Sequence, residues 1–323
     1  MNWIKESIMN FDKPLTRRES IKKLLQLGGS LGLAGAIGGS LQTLKVANAA
    51  SENKKFIIEG IGQTEGYSVR ALTRKVFESA GGAGRFVSKG DVVVIKPNIS
   101  WARRPELAAT TNPEVLAAVI ELCQEGGAKK VRIADHTIND ARRCFALSGA
   151  AAVAKNTGAD LIHPRSSLMK KMSLKGNRLD TWPVFVPLVE ADVLINLPVA
   201  KHHSLSRLTI GMKNWIGAVG GSRYSLHQDI HQSIVDLAHF FRPTVTLIDA
   251  VRIMTRNGPS GGSTSYVTEK NTLILSDDPV AGDARAAMLF NHQPQNLGFI
   301  RMAQEQGLGT FDFQKLAQQK VVL

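Results

Sequence analysis

Two lysines in this chain occupy settings unsuited to a freely solvated charge. Lys96 closes the β-branched run that starts at Asp91, and Lys213 lies in a segment bounded by Gly211 and Gly217. A partly buried ammonium needs an anion, either an internal carboxylate such as Asp135 or Asp249 or a bound phosphate or carboxylate. Polar residues also recur where apolar runs end: Lys96 and Asn98, Asp135 and His136, Asn196 followed by Lys201, His202 and His203, and then Asp249. Ligands of open α/β sheets bind outside the carboxyl ends of the strands, so the recurrence points to a site. Its bland counterpart is a strand end that is polar only because it reaches solvent. The candidate anion-binding set is Lys96, Asn98, Asn112, Asn196, Lys201, Lys213 and Asn214, with His202 and Asp249 as candidate proton-transfer groups. Asn112 belongs to it because a helix starting there would present backbone N–H groups of the same polarity as the lysines.

Metal chemistry has weaker candidates. His227 and His231 stand at the i, i+4 spacing that places two imidazoles on one helical face, with His239 two turns further on. Asp278 and Asp283 follow an apolar run, but Pro279 can open a helix there, so capping is the competing reading. His202 and His203 diverge if they lie on a strand or helix and converge only on a loop. Cys123 and Cys144 are the only cysteines, so the chain has no cysteine cluster for an iron–sulfur centre, which normally takes four thiolates. Nucleophilic catalysis has little support: there is no Gly-x-Ser-x-Gly elbow, no Walker-type loop, and no glycine pattern of the dinucleotide-binding kind. The cofactor and the reaction stay unassigned at this level.

The elements that must position these residues alternate between strand and helix patterns. Strands are expected at 55–61, 91–96, 130–134, 159–163, 182–187, 192–197, 245–249 and 272–275, the last of the series. Helices are expected at 69–79, from Pro113 to the glycine pair at 126, and at 150–157. The runs 91–96 and 192–197 are apolar throughout, the pattern of strands buried on both faces of a parallel sheet. The polar stretch 165–180 reads as an insertion or hairpin. The fold class is α/β: a mainly parallel sheet flanked by helices on both faces, with an elaborated middle segment.

The chain divides into residues 1–49 and a domain at 50–323. Thr16, Arg17 and Arg18 precede an apolar run interrupted by six glycines, and Ala47 and Ala49 form a small-residue cleavage site. This is the pattern of a twin-arginine signal, and it implies the twin-arginine export machinery as a partner, a periplasmic mature protein and no stable membrane span after cleavage. The net charge is +13; residues 1–49 hold seven Lys/Arg and three Asp/Glu, so the remainder keeps +9. With few aromatics and no Lys/Arg-rich run, that charge suits small anions or envelope surfaces and not nucleic acid.

Several segments together resemble one family. They are Ile95 to Asn98, Thr111 to Pro113, Asn196 to Pro198 with Lys201 and His202, Gly211 to Gly217, Asp249 with Ala250, Asn257 to Gly262, and Asp277 to Ala284. In order and spacing they resemble the DUF362 family over roughly residues 56 to 290. The resemblance implies a shared domain without an assigned activity. Some members carry a ferredoxin-like cysteine cluster, which this chain lacks. A non-catalytic accessory, redox or metal-binding role in the envelope is therefore the alternative to an anion-binding enzyme.

Overall fold

The computed structural model describes residues 54–63 and 66–323; the export signal expected at 1–49 lies outside the described residues. The main sheet has ten strands. Eight form one path, in the order β12 (Ala317–Val322), β1 (Phe56–Ile61), β11 (Val267–Ser276), β10 (Val245–Met254), β7 (Val193–Leu197), β2 (Val92–Pro97), β3 (Lys130–Ala134) and β4 (Asp160–Ile162). Along this path only β11 runs against its neighbours. The other two strands, β8 (Val199–His203) and β9 (Arg207–Thr209), extend the sheet beside β10. The sheet is thus mainly parallel.

Side-chain alternation divides the sheet into two cores. Val93, Ile95, Val193, Ile195, Leu247 and Leu273 face one side, where α1 (Val69–Ser79), α2 (Pro113–Glu125) and α4 (Ala150–Thr157) pack, with Phe145 of α3 (Ala141–Leu147). Val94, Leu194, Ile248 and Ile274 face the other side, under α5 (Ile230–Phe241), α6 (Pro279–Met288) and α7 (Gly298–Glu305). A strand covered on both faces has no polar side to present, which explains the uninterrupted apolar runs.

Helix ends follow their capping chemistry. The Asn112 side chain accepts from the Glu114 amide ahead of Pro113 in α2, and Asp278 accepts from Val280 and Ala281 at the start of α6. The stretch at 165–180 forms a hairpin, β5 (Met169–Ser173) with β6 (Thr181–Phe185). The series of strands does not end at 275. β12 follows, and its sequence conceals it because the strand lies at the sheet edge, with five of its six residues exposed. Strands β10 and β11 also run longer than their apolar cores, through the polar residues Arg252 and Thr268 to Lys270. Cys123 and Cys144 are both buried and free. Among the described residues no helix is long and apolar enough to cross a membrane.

Candidate functional site

The register of β2 against β7 sets Lys96 beside Asn196, on the face shared by Val94 and Leu194. Across this pair lies the 3-10 segment Met212–Ala218. Its Asn214 accepts from Lys96 Nζ at 3.0 Å and from Asn98 Nδ2 at 3.0 Å, and its own amide donates to the Lys96 carbonyl at 3.1 Å and to Asn196 Oδ1 at 2.9 Å. Lys96 Nζ also meets Asp135 Oδ1 at 2.6 Å and the Pro97 carbonyl at 2.9 Å, and both side chains of the ion pair are fully buried. The other Asp135 oxygen takes the Ile99 amide at 2.6 Å. Burial lowers the Lys96 pKa, while the Asp135 charge and hydrogen bond act in the opposite direction. Lys96 is therefore satisfied from inside the fold.

Gly217 is required by this arrangement. A Cβ there would strike Asp135 Oδ1 and would stand 2.9 Å from Lys96 Nζ. The segment's other end is held by Asp283, which accepts from the Gly211 amide at 2.7 Å and from Met212 at 3.0 Å. Burial raises the Asp283 pKa to about 7 against the pull of those two amides.

The neighbouring lysines differ in kind. Lys201, on β8, donates to Asn98 Oδ1 at 2.9 Å and to the Ala109 carbonyl, both neutral oxygens. Lys213 is 7% exposed, and among the described residues its amine has neither a hydrogen-bond acceptor nor a carboxylate partner. Burial lowers both lysines to a pKa of about 7, and for Lys201 the charge of Lys213 adds to the effect. His203 is pushed down to about 3, by burial and then by Lys213. Its ring stacks on His227, with centroids 6.0 Å apart. Arg223 donates to the carbonyls of His136 and Thr137 at 2.6 and 2.7 Å, and its charge bears on Asp135 and Lys96. Lysines 96, 201 and 213 with Arg223 thus carry more positive charge than Asp135 can neutralise, an arrangement suited to an anion.

The remaining predicted residues lie apart from this cluster. Successive residues of a strand face opposite sides, so β8 sends Lys201 and His203 one way and His202 the other. His202 accepts from the Gly258 amide at 3.2 Å and borders a surface cleft of about 300 Å³ with Lys270, Phe290 and His292. Thus Lys201 and His202 do not converge, and the open cleft at His202 is not the lysine cluster. Asp249 takes the Asn112 amide at 2.7 Å and the Val251 amide at 3.1 Å; burial raises its pKa to about 6, and the residues around it pack without room for water.

The expected helical pair of His227 and His231 does not form. His227 belongs to the 3-10 segment Ser225–His227, and Asp229 caps a new helix behind it, so the i, i+4 geometry is broken. His231 stacks on Phe299 instead, at 6.4 Å. Asp278 caps α6 and accepts from the Thr310 amide, so it and Asp283 serve backbone N–H groups at separate places. Among the described residues no three His, Cys, Asp or Glu side chains group as a metal site. Arg223 and Thr111, whose hydroxyl ties Asn98 to the Leu197 carbonyl, were not legible as site residues. Arg223 lies in a loop with no periodicity to mark it.

Comparison with known proteins matches the family model "Domain of unknown function (DUF362)" to residues 93–288. A thylakoid-associated protein of Synechocystis sp. is 29% identical over 252 residues, covering 76% of this chain and 77% of the relative. Among solved structures, the lactate racemase apoprotein from Thermoanaerobacterium thermosaccharolyticum superposes with a TM-score of 0.41 at 13% identity, over 72% of this chain and 56% of that one. A Thermotoga maritima protein gives 0.38 at 10% identity, over 75% and 61%.

Proposed function

We propose a function from the site itself, because the chain belongs to the DUF362 family, whose shared domain is described only as one of unknown function. The protein binds a small anion, a phosphate or a carboxylate, at the Lys201 and Lys213 amines, with the Lys96, Asn98, Asn196 and Asn214 network as a rigid support. The observation that carries this reading is Lys213, buried to 7% exposure without a carboxylate or hydrogen-bond acceptor among the described residues. A desolvated amine beside a second lysine is unfavourable until an anion neutralises it. Asn112 caps its own helix, and its amide is taken by Asp249, so neither group is free for the ligand in this structure.

The same proposal places the protein in the periplasm, carried there by the twin-arginine machinery, on the strength of Arg17, Arg18 and the small-residue site ending at Ala49. Replacing both arginines by lysine leaves full-length precursor in the cytoplasm if that is right, because lysine lacks the planar guanidinium fork. Normal accumulation of mature protein in the periplasm would defeat it.

The binding reading is tested by thermal unfolding with phosphate, malonate or chloride. Phosphate or malonate raises the melting temperature of the wild type beyond the chloride control. A charge-assisted hydrogen bond contributes roughly 1.5–3 kcal/mol, so Lys213→Met weakens anion binding at least about tenfold. Equal stabilisation of wild type and variant removes Lys213 from the site.

A further inference from the structure

We infer that Lys213 is an imine-forming lysine, whose amine condenses with the carbonyl of a 2-oxo acid while Lys201 holds that molecule's carboxylate. The inference rests on the anion-binding reading and gives it a substrate class. Its basis is the contrast in partners within one cluster. Lys96 is committed to Asp135, Asn214 and the Pro97 carbonyl, and Lys201 to Asn98 and the Ala109 carbonyl, whereas the Lys213 amine has no acceptor among the described residues. A desolvated lysine next to another cationic group is the arrangement that keeps an amine neutral and nucleophilic. The charge of Lys213 lowers the pKa of Lys201, His203 and His227.

The two imidazoles complete the chemistry. His203 Nδ1 accepts from the Leu205 and Ser206 amides, at 3.1 and 3.3 Å, so its Nε2 carries the proton. His227 Nδ1 lies 3.0 Å from the Arg223 carbonyl and must donate to it, which leaves a lone pair on Nε2. The stacked pair therefore offers one N–H and one lone pair, and both rings feel the charge of Lys213. In the reaction the Lys213 nitrogen lone pair forms a bond to the carbonyl carbon, and the carbonyl π electrons go to oxygen. The nitrogen gives up one proton to the His227 lone pair, and the imidazolium so formed passes it to that oxygen, giving a neutral carbinolamine. The second nitrogen proton follows by the same relay as the C–O bond breaks and the C=N bond forms, so the oxygen leaves as water. No oxidant or reductant is consumed.

The test uses the full chain with pyruvate and cyanoborohydride, which reduces an imine to a stable secondary amine, followed by peptide mass spectrometry. Lys213 is expected to be alkylated about tenfold faster than the exposed Lys55 and Lys315, because a desolvated lysine has far more free amine at neutral pH. Its labelling rate should be half-maximal near pH 7. Phosphate should slow the reaction with pyruvate, and acetaldehyde, which has no carboxylate, should label Lys213 more slowly than pyruvate does. Lys201→Met should erase that preference; if the variant does not fold, phosphate competition on the wild type answers the same question. Labelling of Lys213 no faster than of the surface lysines, with pyruvate, glyoxylate and acetaldehyde alike, overturns the inference. If phosphate and malonate still raise the melting temperature through Lys213 in that case, the anion site stands and only the imine is lost. Equal labelling by acetaldehyde and pyruvate, unaffected by phosphate, overturns the carboxylate assignment as well.

Discussion

Lys96 and Lys213 look alike in the sequence, each a lone cation in an apolar or glycine-bounded setting, yet the fold treats them oppositely. Lys96 has an acid 2.6 Å away, a fully used asparagine and a carbonyl, so its charge is part of the structure. Lys213 is buried nearly as deeply with none of these among the described residues. The difference teaches that burial of a charge does not by itself identify a binding residue; what matters is whether the fold already supplies the counter-charge.

The largest expected effect separates the two lysines directly. Lys96→Met strands Asp135 inside the sheet, and losing one partner of a buried ion pair costs about 3–5 kcal/mol. Lys213→Met strands no carboxylate and replaces a desolvated amine by an apolar chain, so the unliganded protein keeps or gains stability. Urea unfolding at neutral pH measures both, and comparable losses in the two variants would erase the distinction.

The pH dependence of stability sharpens it further. Lys213 has a pKa of about 7 in the fold against the ordinary 10.5. Between these values the unfolded chain binds a proton that the folded one does not, so stability rises with pH across this window and is flat below it. Lys201, also at about 7, acts with the same sign. Lys213→Met should lower the slope by up to about 1.4 kcal/mol per pH unit, which urea midpoints from pH 7 to 10.5 would record. An unchanged slope would show that Lys213 keeps its proton in the fold. Asp283 acts in the opposite sense at lower pH: raised from 3.8 to about 7, it makes stability fall as pH rises through that interval, so measurements below pH 7 do not isolate the lysines.

The smallest effect concerns the support around Lys96. Gly217→Ala drives a methyl into Asp135 Oδ1, and overpacking of this kind costs about 1–3 kcal/mol. Because the methyl acts on the same ion pair, its cost should shrink in a Lys96→Met background, a non-additivity that a double-mutant cycle reads. Full additivity would mean that Gly217 is required for some other contact.

Much of the scaffold was legible in the sequence. The helices at Val69–Ser79 and Ala150–Thr157, the capped start at Asn112, and the doubly buried strands β2 and β7 follow from local periodicity, capping chemistry and apolar runs, all properties of neighbouring residues. Edge strand β12, with its exposed glutamines, carries no such local signal. The types of residue at the strand ends were legible too, since polar groups there stand out against the Val and Ile runs.

An internal Asp135 or Asp249 was a legible partner for a buried lysine, but which lysine meets which acid was not, because that depends on register and crossing segments far apart in the chain. Alternation along β8 turned His202 away from Lys201, and Asp229 started a fresh helix that separated His227 from His231. By itself the sequence determined the family, a mainly parallel α/β sheet and a surplus of positive charge at the strand ends. Only the tertiary structure decided which lysine receives the acid. Pairing of β2 with β3 brings Lys96 to Asp135 and the crossing segment Met212–Ala218 supplies Asn214, whereas nothing in the local chemistry of Lys96 sets it apart from Lys213.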